Sequence, residues 1–280
     1  MNYSLHSNHI SLSMVMEQNK NQFTKSEQKI FTYVMNHFDH LIYKSLTEIA
    51  NACQVGEATV LRFCRKLGFK GYQDFKLALA RELSTHQKND TAETYVSKIR
   101  NNMVQAIEYT YALVDEIQLQ EAIDVLNKSR HVVVYGVSSS GIAGMDMQNR
   151  LMRIGRNIEV VTDSHNQMIR SNSLNDEAVI VAISLTGSTK DIVDAVENGK
   201  KHGAQVIAIT NYMESPLASL SDNILLTSAK ENPLDSGSLV SKISQLYIID
   251  LLCTGITMNN HASAKRTKEL IAETISEKLY

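Results

Sequence analysis

Four hydroxyls crowd one glycine in "SLTGSTKD", residues 184–191, where Ser184, Thr186, Ser188 and Thr189 surround Gly187. The stretch 184–189 holds no acid, cysteine or histidine. A nucleophilic hydroxyl needs an adjacent base, so this cluster reads as a binding element or as a Ser/Thr-rich capping turn. Hydroxyls and an unobstructed Gly187 N–H could meet an anion at a helix N-terminus, where the dipole and unpaired amides favour negative charge. That chemistry suits a phosphomonoester. A second cluster, "VSSSG" at 137–141, and "TDSH" at 162–165 with His165 add polar groups.

Known nucleotide motifs fit these clusters poorly. "GVSSSG" has serine where the dinucleotide fingerprint has its middle glycine, and "SLTGSTKD" lacks G-x-x-x-x-G-K. A G-x-S-x-G nucleophile elbow fails because Ser140 stands at the last glycine. His6 and His9, and His37 and His40, have helical ligand spacing but no further ligand close in sequence, so no metal is expected. No organic cofactor is implied either.

A different chemistry marks the front of the chain. Residues 20–88 hold 11 Lys/Arg against 6 Asp/Glu, while the remainder holds 17 against 24. A basic front on an acidic back points to a polyanion partner for the front alone. Thr59, Arg62, Arg65 and Lys66 fall on one side of a helix predicted over 57–67, with Lys25 and Lys70 as phosphate contacts. Arginines on such a helix can pair with guanine edges or phosphates in a major groove. A helical hairpin with a solvated basic face is the plainer alternative.

The elements that must hold these groups follow from periodicity. "TKSEQKIFTYVMNHF", 24–38, places Ile30, Phe31, Val34, Met35 and Phe38 at helical spacing, with Thr24 or Ser26 as N-cap. A helix around 46–52, a tight turn at 53–55 and the helix from 57 make a helix-turn-helix, with Ile49, Ala50, Val55, Val60, Cys64 and Leu67 as its interior. Residues 85–95 read as a linker. A helix follows through Val96, Ile99, Met103, Ile107 and Leu113, either a strut between domains or the first packing helix of the back domain.

From 131 onward, short β-branched runs alternate with helices. Strands are predicted at 131–137, 157–164, 178–184, 205–211 and 223–229, and helices near 141–154, 166–174, 189–202 and 214–220. Near-continuous apolar strands indicate a parallel sheet covered on both faces. Ligands then bind beyond the carboxyl ends of the strands, where all three polar clusters fall. The run 241–256 is apolar around most of its circumference and suits a core or a subunit interface.

The expected fold is α/β, an N-terminal all-α helix-turn-helix domain followed by a doubly wound parallel five-stranded α/β sandwich. The expected boundaries are 1–85 for DNA binding, 86–115 for a linker and connecting helix, and 116–280 for the sandwich. No stretch reaches the about 18 uncharged apolar residues of a membrane helix, and no basic-then-apolar leader opens the chain. Cys53, Cys64 and Cys253 contain no CxxC and are expected as buried thiols in a reducing cytoplasm.

"FTKSEQKI…SLTEIANACQVGEATVLRFCRKLGFKGYQDFKLALARE" resembles the N-terminal domain of the RpiR family of bacterial transcriptional regulators. "VYGVSSSG", "TDSH", "AISLTGSTKDI" and "AITNY" resemble the SIS, or sugar isomerase, domain that follows it in that family. The resemblance spans roughly 20–260. It implies that Ser184, Thr186, Gly187, Ser188 and Thr189 form the phosphate loop "S-x-S-G-x-T", with Thr186 in place of serine. Ser138 and Ser139 match first-loop serines that touch the sugar, and His165 and Lys242 lie where the family has polar residues lining the pocket. His165 could equally be satisfied by local backbone, and Lys242 by an acid across a subunit interface. Gly56 stands where serine usually precedes "EATV".

The resemblance implies a phosphosugar-responsive repressor of a carbohydrate catabolic operon, a homodimer or higher oligomer on pseudo-palindromic operator DNA, with no membrane partner. It leans towards regulators of amino-sugar or sialic-acid catabolism, whose effector is an N-acetylhexosamine 6-phosphate such as N-acetylmannosamine 6-phosphate. The alternative is an SIS-type sugar-phosphate isomerase with an accessory DNA-binding domain. Isomerisation needs a general base, for which Glu231, Asp235 and His165 are the candidates, but no "KHGP"- or "HPG"-type segment is present.

Overall fold

The computed structural model describes residues 12–86, 94–229 and 239–276. Its contacts divide the chain into two compact units, with a division between Ile99 and Arg100.

The first unit is helical: α1 (Leu12–Asn19), a 3-10 turn (Lys20–Gln22), α2 (Lys25–Asn36), α3 (Phe38–Leu41), α4 (Leu46–Ala52), α5 (Glu57–Lys66) and α6 (Tyr72–His86). Thr24, not Ser26, caps α2. Thr24 and Glu27 form a reciprocal capping box, as do Ser45 and Glu48 on α4. The helix predicted over 24–38 stops at Asn36, because His37 leaves helical geometry and Phe38 starts the separate α3. Gln54 takes a left-handed φ of 53° and turns the chain from α4 into α5. Ile30, Phe31, Val34, Ile49, Ala50, Val60, Cys64 and Leu67 are buried, whereas Val55, Met35 and Phe38 pack from its rim. Phenylalanines complete this core, with Phe23 and Phe63 ring centroids 5.1 Å apart. A fully buried Phe or Ile contributes about 1.5–3 kcal/mol relative to an exposed one.

Helix α6 runs through His86 and α7 (Tyr95–Ala112) begins nine residues later, so the predicted linker is narrower than 85–95, and residues 87–93 lie outside the described chain. The apolar stripe predicted for α7 is not its buried face. Ile107 and Leu113 stay exposed while Ala106 and Thr110 are buried. The Ser228 N–H donates to Thr110 Oγ1 at 3.0 Å, which ties α7 to the sandwich.

The second unit continues with α8 (Glu116–Lys128), β1 (His131–Tyr135), α9 (Ser138–Met152), β2 (Glu159–Val161), α10 (Ser164–Ser171), β3 (Ala178–Ile183), α11 (Lys190–Lys201), β4 (Gln205–Thr210), α12 (Pro216–Leu220), β5 (Asn223–Leu226), α13 (Leu239–Asn259) and α14 (His261–Ser276). All strand pairs are parallel, in the order β2-β1-β3-β4-β5. The strands are shorter than predicted, and the polar residues at their carboxyl ends belong to turns.

Alternate strand residues serve two cores. Val134, Val181 and Ile207 join α8, α9 and α13 on one face, and Val133, Ile180 and Val206 join α11 and α12 on the other. Helix α13 is long and apolar enough to span a bilayer, with mean hydropathy 1.4, yet Ile248, Ile249, Leu252, Cys253 and Ile256 are buried in the first of these cores. Burial pushes the Cys64 and Cys253 thiols up to about 12, which keeps them protonated.

Candidate ligand pocket and DNA-reading helix

In a 2-1-3-4-5 sheet the strand order reverses between β1 and β3, and a ligand crevice opens beyond their carboxyl ends. Tyr135 of β1 pairs with Ala182 of β3, so the turns that follow, 136–140 and 184–189, leave neighbouring strands side by side. Each leads into a helix, α9 and α11, whose N-cap makes no side-chain hydrogen bond. Two sets of opening amides with positive dipole ends therefore lie at the carboxyl ends of neighbouring strands.

The β3 turn is closed by its own bonds. Ser184 is buried at 4% exposure, and its hydroxyl lies 3.1 Å from Thr189 Oγ1. The Ser188 N–H donates to Thr186 Oγ1 (3.2 Å), and Ser188 Oγ donates to the Thr186 carbonyl (3.2 Å). The Gly187 N–H is not open to a ligand as expected, because it donates to the Ser184 carbonyl at 3.1 Å. Glycine is needed here for space and backbone. At φ +59° an added Cβ would stand 2.1 Å from Ser215 Oγ. The Leu217 N–H donates to the Gly187 carbonyl at 2.9 Å and locks the turn against α12.

The β1 turn differs. Ser138 is exposed in left-handed geometry at φ 52°, Ser139 is half-buried and Ser140 is buried. Gln245 of α13 donates through Nε2 to Ser140 Oγ at 3.0 Å. Gln167 of α10 donates to the Gly136 carbonyl at 3.3 Å and to the Val161 carbonyl at 2.6 Å. Sequence reasoning missed both glutamines. Neither carries a local sequence signal, since the run around Gln245, "SKISQLYIIDLL", also holds Ser241, Lys242, Ser244 and Asp250. Lys242 sits three residues before Gln245, hence on the same side of α13, and is half-buried. His165 is exposed in the first turn of α10, which Asp163 caps by accepting from the Asn166 N–H at 2.9 Å. Glu231 and Asp235 lie outside the described residues, as do His6 and His9.

In the helical unit, Arg62 and Arg65 project from α5 into solvent, and Arg62 donates to Thr59 Oγ1 at 3.1 Å. Lys66 does not extend that row as a free cation. Its ammonium donates to Glu27 Oε2 (2.8 Å) and to the Gln22 carbonyl (2.7 Å), so it pins the start of α2. Burial would raise the Glu27 carboxyl, but the Lys66 hydrogen bond and the Thr24 contacts outweigh it and hold the group below its ordinary value. Lys25 and Lys70 are exposed, and the Lys70 backbone N–H donates to Asp74 Oδ2 at 2.9 Å. Gly56 is the N-cap of α5 and offers no cap hydroxyl.

The chain thus joins a helix-turn-helix unit to a parallel α/β sandwich whose strand order reverses between β1 and β3. The rpiR-family helix-turn-helix model matches residues 10–86, and the SIS domain model matches 125–255. The chain belongs to the RpiR family and is an HTH-type transcriptional regulator with an SIS domain. An uncharacterized HTH-type transcriptional regulator of Clostridium perfringens is 35% identical over 275 residues, 94% of this chain and 95% of that protein. One from Haemophilus influenzae is 33% identical over 91% of this chain and 92% of its own length. Among solved structures, the Vibrio vulnificus NanR protein complexed with ManNAc-6P has a TM-score of 0.87 and 27% identity, covering 96% of this chain and all of that one.

Proposed function

We propose that this chain is a phosphosugar-responsive repressor of a carbohydrate catabolic operon. Its effector is an N-acetylhexosamine 6-phosphate such as N-acetylmannosamine 6-phosphate. The observation that carries the proposal is the pair of uncapped helix starts, α9 and α11, flanking one crevice at the switch point. The likeness over nearly the whole chain to a NanR solved with ManNAc-6P supports that choice of sugar.

In this account residues 1–85 read DNA, 86–115 connect, and 116–280 bind the effector. The phosphate rests on the amides opening α11, with Ser184, Thr186, Ser188 and Thr189 around it and Gly187 shaping the turn. Ser138 and Ser139 meet the sugar, and His165 and Lys242 line the rim. Arg62 and Thr59 contact base edges, and Arg65, Lys25 and Lys70 contact phosphates of a pseudo-palindromic operator in the cytoplasm. Lys66 acts by fixing α5 against α2. The protein works as a homodimer or higher oligomer, and effector acts through its differential affinity for the DNA-competent and released arrangements. The loops supply hydroxyls and amides suited to holding a phosphate, so no turnover is proposed.

A thermal-shift panel of sugar phosphates tests this directly. One member should raise the melting temperature of the wild-type protein, and the same member should release operator DNA in a gel shift. Ser184→Ala should weaken effector binding by about 10- to 100-fold, the range for losing a hydrogen bond to a charged group, while leaving operator binding intact. Arg62→Ala should cost about 1–3 kcal/mol of operator affinity and leave the thermal shift unchanged. A flat panel overturns the sensor, and turnover of an aldose phosphate converts the protein into an isomerase.

A further inference from the structure

Four buried side-chain atoms among the described residues have no hydrogen-bond partner: Asn127 Nδ2, Tyr135 OH, Gln167 Oε1 and Gln245 Oε1. Native proteins leave few such groups, and each calls for an explanation. Two of the four belong to side chains that hold a single turn. Gln167 holds the Gly136 carbonyl, and Gln245 holds the Ser140 hydroxyl.

The two amides arrive from different elements. Gln167 is on α10, which packs against α11, and Gln245 is on α13, which packs against α8 and α9. Both side chains are buried, at 0% and 2% exposure. The orientation of Gln167 is dictated by chemistry: both its contacts are carbonyls, so its NH2 must face them and its own oxygen is left over. Between the two amides lies Ser138, in a left-handed conformation that costs a residue with a Cβ. The turn is thus gripped at both ends, conformationally strained in the middle, and surrounded by acceptors that nothing in this arrangement satisfies.

We propose that Gln167 and Gln245 are positioning residues for effector recognition. They hold the Gly136–Ser140 turn from two sides, and effector binding at that turn brings donors to their unpartnered carbonyl oxygens. The inference rests on the reading that this turn binds a phosphosugar and adds how the turn is set and what changes when it fills. Neither glutamine need touch the sugar, because Gln245 acts through Ser140.

Gln245→Met keeps the length and removes both polar atoms. The probe is the sugar phosphate that most stabilises the wild-type protein, titrated calorimetrically. The effector-free melting temperature should stay level or rise, since an unpaired carbonyl is lost, while the effector Kd rises at least tenfold. Ser140→Ala should produce the same rise, and the double variant should be no worse than the larger single one. Gln245→Glu, which keeps the length but replaces the Nε2 donor with a buried acceptor, should not recover the affinity. A Kd within twofold of wild type for Gln245→Met, or additive losses in the double variant, overturns the clamp while leaving phosphosugar binding standing. If the wild-type protein binds no sugar phosphate, both fall together. Should Gln245→Met fail to fold, Ser140→Ala carries the test alone, and an unchanged Kd overturns the proposal.

Discussion

The two turns that open onto the crevice are built by opposite means. Around Gly187 the side-chain bonds are local, Ser184 with Thr189 and Ser188 with Thr186, the Gly187 amide turns back on Ser184, and backbone bonds to Leu217 and Ile209 anchor the turn. Around Ser138 the grip comes from remote helices, the backbone is left-handed, and the gripping amides keep unpaired oxygens. A phosphate changes little in shape from one sugar to another, so a pre-formed cradle suits it. The part of a site that must register which sugar is present, and report it, gains from an element with two accessible shapes.

The largest expected effect tests the rigid side. Gly187→Ala places a Cβ 2.1 Å from Ser215 Oγ at positive φ. Overpacking and left-handed strain together should cost about 2–4 kcal/mol, read as a fall in the melting temperature of the SIS unit together with loss of effector binding. A tolerated alanine would show that the β3 turn is as adaptable as its neighbour.

A smaller effect of opposite sign is expected across the crevice. Ser138→Gly relieves about 1–2 kcal/mol of left-handed strain and gives back about 0.5–1 kcal/mol in chain entropy. The net is a gain of under about 1 kcal/mol in denaturant unfolding. A clear loss would mean that Ser138 is unstrained there and would weaken the contrast.

The smallest effect concerns a third turn, at the start of the DNA-reading helix. Gly56 has an ordinary φ of −75°, and nothing stands within 4 Å of an added Cβ. Gly56→Ser should therefore raise the stability of the helical unit by only a few tenths of a kcal/mol, measured by thermal melting. Gly56 is replaceable and Gly187 is not, although both precede helices and look alike in sequence.

Much of this organisation was legible beforehand. The helix-turn-helix at 46–66 and five parallel strands follow from local periodicity, because apolar residues at 3.6 or at near-continuous spacing constrain their own elements. Places where sequence reasoning failed share a cause. The Lys66 side chain reads as a free cation until Glu27, 39 positions away, is seen beside it. On α7 the apolar stripe misleads, since the sandwich takes Ala106 and Thr110 and leaves Ile107 and Leu113 exposed. Gln167 and Gln245 carry no local pattern at all, because their partners come from other elements.

What the sequence alone determined was the kind of chain: a basic helical reader, a parallel sheet, and hydroxyl clusters at strand ends. Composition and short-range periodicity suffice for these, since each is a property of contiguous residues. Only the tertiary structure decided which strands are neighbours, and so which two turns share the crevice at the β1/β3 switch point. It also decided that the Gly187 amide is spent within its own turn while two distant glutamines hold the other. Hydrogen-bond satisfaction depends on groups brought together from across the chain, and their spacing in sequence does not encode it.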